Sequence, residues 1–361
     1  MYNGTYENGT ESMTNSRQSD LAGSCTMQST WPVTAFLGLL AHRIIILVHA
    51  GTMEQNFAAA FGVIAGHPHW RVYQSRLLGP WLVRMFETVL DISFQEAFVL
   101  VAMVLTVGIG LLALVLACRA GVPRPRALGL TAALLGVVVA LQDPLYLYLW
   151  DYLDILVFLL VAHGIVNRRG VWWFVCLFLI ALANKESALF IALWLFLDGL
   201  TDAGPGSLRL RWYPARWPRA LAGLVLSLGG ILTMEVIRDR LFVAGTGRVA
   251  AAAGSTLGTS LHFKLWRNAT SYWMSLRHPD GMLTFLVPLA VPAFTAFCVI
   301  RYRRRLDDAG AKLLWLVLIM LVCIHLFASV IETRSFLMLT PLLFTVCAVY
   351  GGPPPGAKLS Q

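Results

Sequence analysis

Apolar runs recur along the chain at 32–50, 94–118, 127–142, 145–166, 171–184, 187–201, 219–237, 281–300, 313–331 and 336–350. A helix of about 20 apolar residues crosses the hydrocarbon core of a bilayer. At that depth only helices and closed barrels satisfy their own backbone groups. The pattern therefore predicts an all-α fold, a polytopic transmembrane helix bundle of about ten crossings. The runs at 171–184 and 336–350 are short, and are read as tilted, partial or extended by their flanking turns.

Composition agrees: 58% of the 361 residues are hydrophobic and 13% charged, with mean hydropathy +0.69. These values exclude an ordinary soluble domain. The net charge of +9 does not point to nucleic acid, because most of the arginine lies in short loops between apolar runs. Arg119, Arg124 and Arg126 form one such group, and Arg168 and Arg169 a second. A third holds Arg209, Arg211, Arg216 and Arg219, and a fourth Arg301, Arg303, Arg304, Arg305 and Lys312. With the amino terminus inside, all four loops fall on the cytoplasmic face, as the positive-inside rule requires. A bacterial inner membrane is the expected location.

Three regions follow. Residues 1–31, rich in Ser, Thr, Asn and Gly and without an apolar signal-peptide core, read as a disordered cytoplasmic tail. Residues 32–350 form the bundle, and 351–361 a short cytoplasmic tail. Two outer loops are long. In the first, Gly51–Ser93, a stripe of Leu77, Leu78, Trp81, Leu82, Met85, Phe86 and Val89 predicts an amphipathic helix lying in the interface, with Pro80 in its first turns. In the fourth outer loop, Arg238–Asp280, the residues Trp266, Tyr272 and Trp273 suit a second interfacial helix. The six cysteines show no CxxC and no metal-ligand spacing, and read as small apolar fillers.

The charges that topology does not explain lie on or near the outer face. Gln142–Ser187 is one unit: two apolar runs joined by a short basic turn, so that Asp143, Asp151 and Asp154 return to the same side as Lys185 and Glu186. Asp151 and Asp154 share a helical face, and ionisable groups entering an apolar run mark a bundle interior or wet cavity. Asp143, before Pro144, also fits a helix cap. Glu54 is either a general base or metal ligand, or an ordinary loop glutamate. Arg76 and Arg334 each precede apolar residues and a proline. Either could grip phosphate in a fork or snorkel to the interface, and Arg334 could instead pair with Glu332. Lys185, with Glu186 in a four-residue polar insert, suits a phosphate or carboxylate partner. His67 and His69 form an H-P-H with no third ligand, and His49 and His325 lie at or within apolar runs.

The segments YQSRLLGPWL, DPLYLYLWDYLD, NKESALF and ETRSFLMLTP resemble short motifs of bacterial members of the GT-C superfamily, integral-membrane glycosyltransferases that use polyprenyl-phosphate-linked sugars. The likeness covers roughly residues 33–350. It implies sugar transfer on the extracytoplasmic face to a glycan, lipid or protein acceptor. It also implies a base or metal ligand in the first outer loop, which falls on Glu54, with Asp151 and Asp154 as further catalytic carboxylates. Arg76, Lys185 or Arg334 would then hold the lipid phosphate, and a divalent cation, Mg or Mn, is a possible cofactor. The chain departs from the pattern in carrying a lone Glu54 instead of an acidic pair, and in ending without an outer soluble domain. Rival readings are a transporter or flippase of a lipid-linked or small anionic substrate, another membrane transferase, and a non-catalytic assembly factor.

Overall fold

The computed structural model describes residues 30–66, 76–142, 146–241, 264–277, 282–330 and 332–352. Among them the chain forms thirteen α-helices: α1 (Trp31–Val48), α2 (Met53–Ile64), α3 (Leu78–Leu90), α4 (Phe94–Arg119), α5 (Arg124–Leu141), α6 (Leu149–Val166), α7 (Val171–Leu182), α8 (Leu189–Leu200), α9 (Trp217–Leu241), α10 (Leu265–Arg277), α11 (Met282–Tyr302), α12 (Asp308–Phe327) and α13 (Thr340–Tyr350). A 3-10 turn, Thr333–Leu339, leads into α13. The short antiparallel strands β1 (Thr201–Ala203) and β2 (Leu210–Trp212) pair between α8 and α9. Asp143, His67 and His69 lie outside the described residues.

Seven of these helical stretches are long and apolar enough to cross a membrane: α1, α4, α5, α6, α9, α12 and Thr333–Tyr350. The protein is a multi-pass, all-α membrane bundle. The other apolar runs are helical too, but α7 and α8 have only 12 residues each. At 1.5 Å per residue that is about 18 Å, well short of the roughly 30 Å hydrocarbon core. Helical boundaries follow local chemistry. Ser93 and Glu96 form a capping box at the start of α4. Asp91 closes α3 in the left-handed region, φ 54°, which short polar side chains tolerate.

α6 is the axis of the bundle. Fourteen of its 18 residues are buried, Phe158, Leu159, Val161 and Ala162 completely. The rim is different: α1 and α9 leave Phe36, Leu47, Val225, Leu228 and Leu232 exposed, an apolar surface suited to lipid and unsuited to water. α3 splits its expected stripe. Leu78, Leu82 and Phe86 pack on the core, while Trp81, Met85 and Val89 stay exposed.

Contacts sort the charged loops to two ends. At one end Arg126 donates to Cys347 O (2.9 Å), Arg168 meets Asp307, Arg216 meets Asp308, and Gly206 N donates to Leu306 O. All four basic loops therefore gather there. At the other end Thr333 donates to Leu141 O, and Leu77 and Leu78 N–H groups both donate to Ala183 O at 3.0 and 2.8 Å.

α8 and α9 touch backbone to backbone because glycine stands at the crossing. A Cβ on Gly223 would lie 2.5 Å from Ala192 O and 2.6 Å from Phe196 N, and one on Gly199 would collide with Ala220 N. Small residues take this role between membrane helices, where close approach supplies the attraction. Gly223→Val should accordingly push the pair apart and destabilise the protein by about 1–3 kcal/mol, read as a lowered melting temperature in detergent. An unchanged melting temperature would contradict the crossing.

Candidate functional site

The first turns of α6 carry two carboxylates into the core. Asp151 and Asp154 are each 1% exposed. Burying an ion without a partner is costly, so each must be answered by cations or donors. Asp151 Oδ1 accepts from Lys185 Nζ at 2.7 Å, and its Oδ2 accepts from Arg334 Nη1 at 3.2 Å. Asp154 accepts from Ser187 Oγ at 2.8 and 2.9 Å and from Asn184 Nδ2 at 2.9 Å, and Lys185 Nζ lies 3.5 Å from its Oδ2. Asn184 also donates to Trp150 O at 2.8 Å. The N-K-E-S insert is thus a set of donors folded onto α6.

The brevity of α7 explains how the insert reaches that level. α6 and α7 are antiparallel about the turn at 167–170, and twelve residues of α7 climb about 18 Å. That brings the chain level with Asp154 rather than past the end of α6. Sequence reading returned the insert to the same face as Asp151 and Asp154; the short helix sets it level with them.

Two arginines close the cluster from outside. Arg334 donates to Glu332 Oε2 at 2.7 Å as well as to Asp151, and its guanidinium stands over the Tyr148 ring at 4.7 Å. Arg76 lies 3.5 Å from Glu186 Oε2 and over Trp150 at 5.2 Å. Tyr146, Tyr148 and Trp150 stack in sequence, with centroids 5.6 and 4.3 Å apart. These residues alternate along an extended entry to α6, so every second ring faces the same way. Cation–π contact adds to the ion pairs where water is excluded.

Of the residues singled out from sequence, Arg76, Asp151, Asp154, Lys185, Glu186, Glu332 and Arg334 therefore meet in one network. Glu54 does not join it. It sits exposed in the first turn of α2, with no side-chain bond among the described residues. Two residues on, Asn56 faces the opposite way and is buried, accepting Leu147 N–H at 3.1 Å on Oδ1. Sequence reading missed Asn56, which follows Glu54 and Gln55 in the first turn of that helix and carried no signal of its own. It also missed Asn268 of α10, which donates to His325 O and Ala328 O at 2.8 and 2.9 Å and accepts from Val330 N, fastening α10 to the end of α12. Tyr272 and His325 add a 3.1 Å hydrogen bond.

The donor set does not fit a divalent ion. Among the described residues no three His, Cys, Asp or Glu gather as metal ligands, and the two buried aspartates already face cations. What the arrangement can do is present Arg and Lys to an anion at one end of a membrane bundle. Comparison with protein-family models, with curated proteins and with solved structures found no match.

Asp151→Asn should leave Lys185 and Arg334 facing a neutral amide in a dry site. Breaking one partner of a buried pair costs about 3–5 kcal/mol, so the variant should melt markedly lower in detergent. Adding Lys185→Met should recover part of the loss. No recovery would mean that Lys185 and Asp151 do not act as a pair.

Proposed function

We propose that this protein is a membrane glycosyltransferase that moves a sugar from a polyprenyl-phosphate donor to an acceptor on the extracytoplasmic face. One observation carries the reading: a network that brings Arg76, Lys185 and Arg334 together, each met by a carboxylate, shares one end of the bundle with an amphipathic helix that has an exposed apolar face. Arg76 immediately precedes α3, and the exposed Trp81, Met85 and Val89 of that helix extend from it. A lipid-linked donor needs this pairing, with phosphate on cations and chain in the bilayer. The position at one end of α6 also favours chemistry at one face, whereas transporter sites lie near the midplane.

In the transfer, an acceptor hydroxyl forms a bond to the anomeric carbon as the bond from that carbon to the phosphate oxygen breaks. The proton goes to a carboxylate, and the lipid phosphate leaves with its negative charge. Asp151, buried between Lys185 and Arg334, and Asp154, held by Asn184 and Ser187, act in this reading as positioning residues. Glu54, exposed in the first turn of α2 and outside the network, is the proposed base. Arg76 lies 3.5 Å from the partly exposed Glu186, and Arg334 has a partly exposed partner in Glu332. These two guanidinium groups are the ones that can turn to a phosphate and stabilise it as it departs. No metal enters the step.

A transporter or flippase is the second reading. It is favoured by the two 12-residue helices that meet at a polar turn, since interrupted helices line many transport sites. Sugar transfer by the purified protein from a panel of polyprenyl-phosphate sugars, against flux in sealed vesicles, separates the two. Within the enzyme reading, Glu54→Gln should lower turnover by about 10²–10⁴-fold, some 3–5 kcal/mol of barrier, with the melting temperature unchanged. A stable, fully active Glu54→Gln protein would remove Glu54 from the mechanism.

The same proposal counts α7, α8 and α11 as passes, which makes ten with the basic end in the cytoplasm. In a background cleared of native thiols, Gly51→Cys should then label from outside and Arg209→Cys from inside. Labelling of both from one side sinks that topology.

A further inference from the structure

At the opposite end of α6, roughly 20 Å from Asp151, the basic loops enclose a cavity of about 240 Å³. Arg168, Arg169, Arg216 and Arg219 line it together with Asp198 and Asp308. Phe174 and Trp194 contribute apolar wall.

The aspartates are already satisfied. Asp198, 4% exposed, accepts from Lys312 Nζ at 3.0 Å, from Arg216 at 3.2 Å and from Arg219. Asp308 accepts from Lys312 at 2.8 Å and from the Ala203 N–H at 2.9 Å. Lys312 is fully buried between them. Arg168 has only the half-exposed Asp307, at 3.7 Å, and Arg169 stands over the Trp173 ring at 5.7 Å. Four arginines and a lysine thus face three carboxylates, an excess of two positive charges around one hollow.

Helix ends of both senses meet here, since α6 and α8 finish at Val166 and Leu200. α7, α9 and α12 all begin here, at Val171, Trp217 and Asp308. A helix start carries a partial positive charge and free N–H groups, so it favours anions and opposes arginine. Arg216 and Arg219 nevertheless sit at the start of α9. Topology alone requires positive charge in these loops, but it does not require the guanidinium groups to converge on a cavity. The volume lies below the roughly 300–1,000 Å³ of sites for drug-sized ligands, which suits a compact charged group.

We propose that this cavity binds a phosphate group carried by an anionic ligand. Arginine forks match phosphate oxygens in pairs, and Arg168 and Arg169 have the charge to spare. The site shares no residue with the network at the other end, so its failure would leave the glycosyltransferase reading untouched.

The test is thermal unfolding of the full-length protein in detergent. One arm titrates inorganic phosphate against chloride at matched ionic strength. The other adds phosphatidylglycerol against phosphatidylcholine. Binding to the folded state raises the melting temperature in a saturating way. Saturation with inorganic phosphate identifies a soluble phosphate ligand, and a response to phosphatidylglycerol alone identifies a lipid headgroup. The double variant Arg168→Gln/Arg169→Gln should shift the midpoint by roughly tenfold or more. Should it not fold, Arg168→Gln alone, which gives up the 3.7 Å pair with Asp307, serves in its place, with a smaller shift expected. No response above chloride and phosphatidylcholine overturns the proposal. So does an unchanged midpoint in the arginine variant.

Discussion

The carboxylate of Asp151 holds one end of this bundle together. It sits one turn into the central helix, buried, and it accepts from Lys185 and Arg334, two residues far apart in sequence. An ion at that depth is tolerable only when it is answered, and each answer fixes another segment. Lys185 brings in the insert between α7 and α8, whose Asn184 and Ser187 then satisfy Asp154. Arg334 brings in the 3-10 turn before α13, and Thr333 beside it reaches Leu141 O. A few charges thus set the register of α5, α6, α7 and α13 at this end. Apolar packing against lipid could not do so, because lipid is as apolar as the side chains.

The opposite end, where the basic loops gather, is built by the same logic with a different balance. Asp198 and Lys312 form its buried pair, and α8, α9 and α12 meet on them. Here the cations outnumber the carboxylates. At the Asp151 end Arg76, Lys185 and Arg334 face Asp151, Asp154, Glu186 and Glu332, and cation charge is met in full.

Much of this was legible in the chain before any coordinates. The apolar runs correspond to helices nearly one for one, because helix formation in a bilayer depends on local composition and length. The return of Lys185 to the same end as Asp151 and Asp154 followed from the short turn between two apolar runs. The S-x-x-E capping box at Ser93 and the amphipathic stripe after Arg76 are likewise local. Glu54 stands differently: its position in the first loop invited a catalytic role, yet the helical rotation between it and Asn56 turns it from the aromatic ladder. Lys312 was read as a topological anchor and is instead fully buried, and Asp198, in the apolar run LWLFLDGL, went unremarked although it was the one carboxylate of that run.

The sequence by itself determined that this is a multi-pass helical membrane protein, and which loops carry the positive charge. Both are properties of segments read against a solvent, and need no knowledge of neighbours. Only the tertiary structure decided which charges pair. Arg76 with Glu186, Arg334 with Asp151 and Lys312 with Asp198 join residues more than a hundred positions apart. Such pairings depend on how helices are arranged around α6, on the close crossing at Gly199 and Gly223, and on the shortness of α7. The energy of a buried charge is set by what surrounds it in space, and a linear pattern does not contain that information.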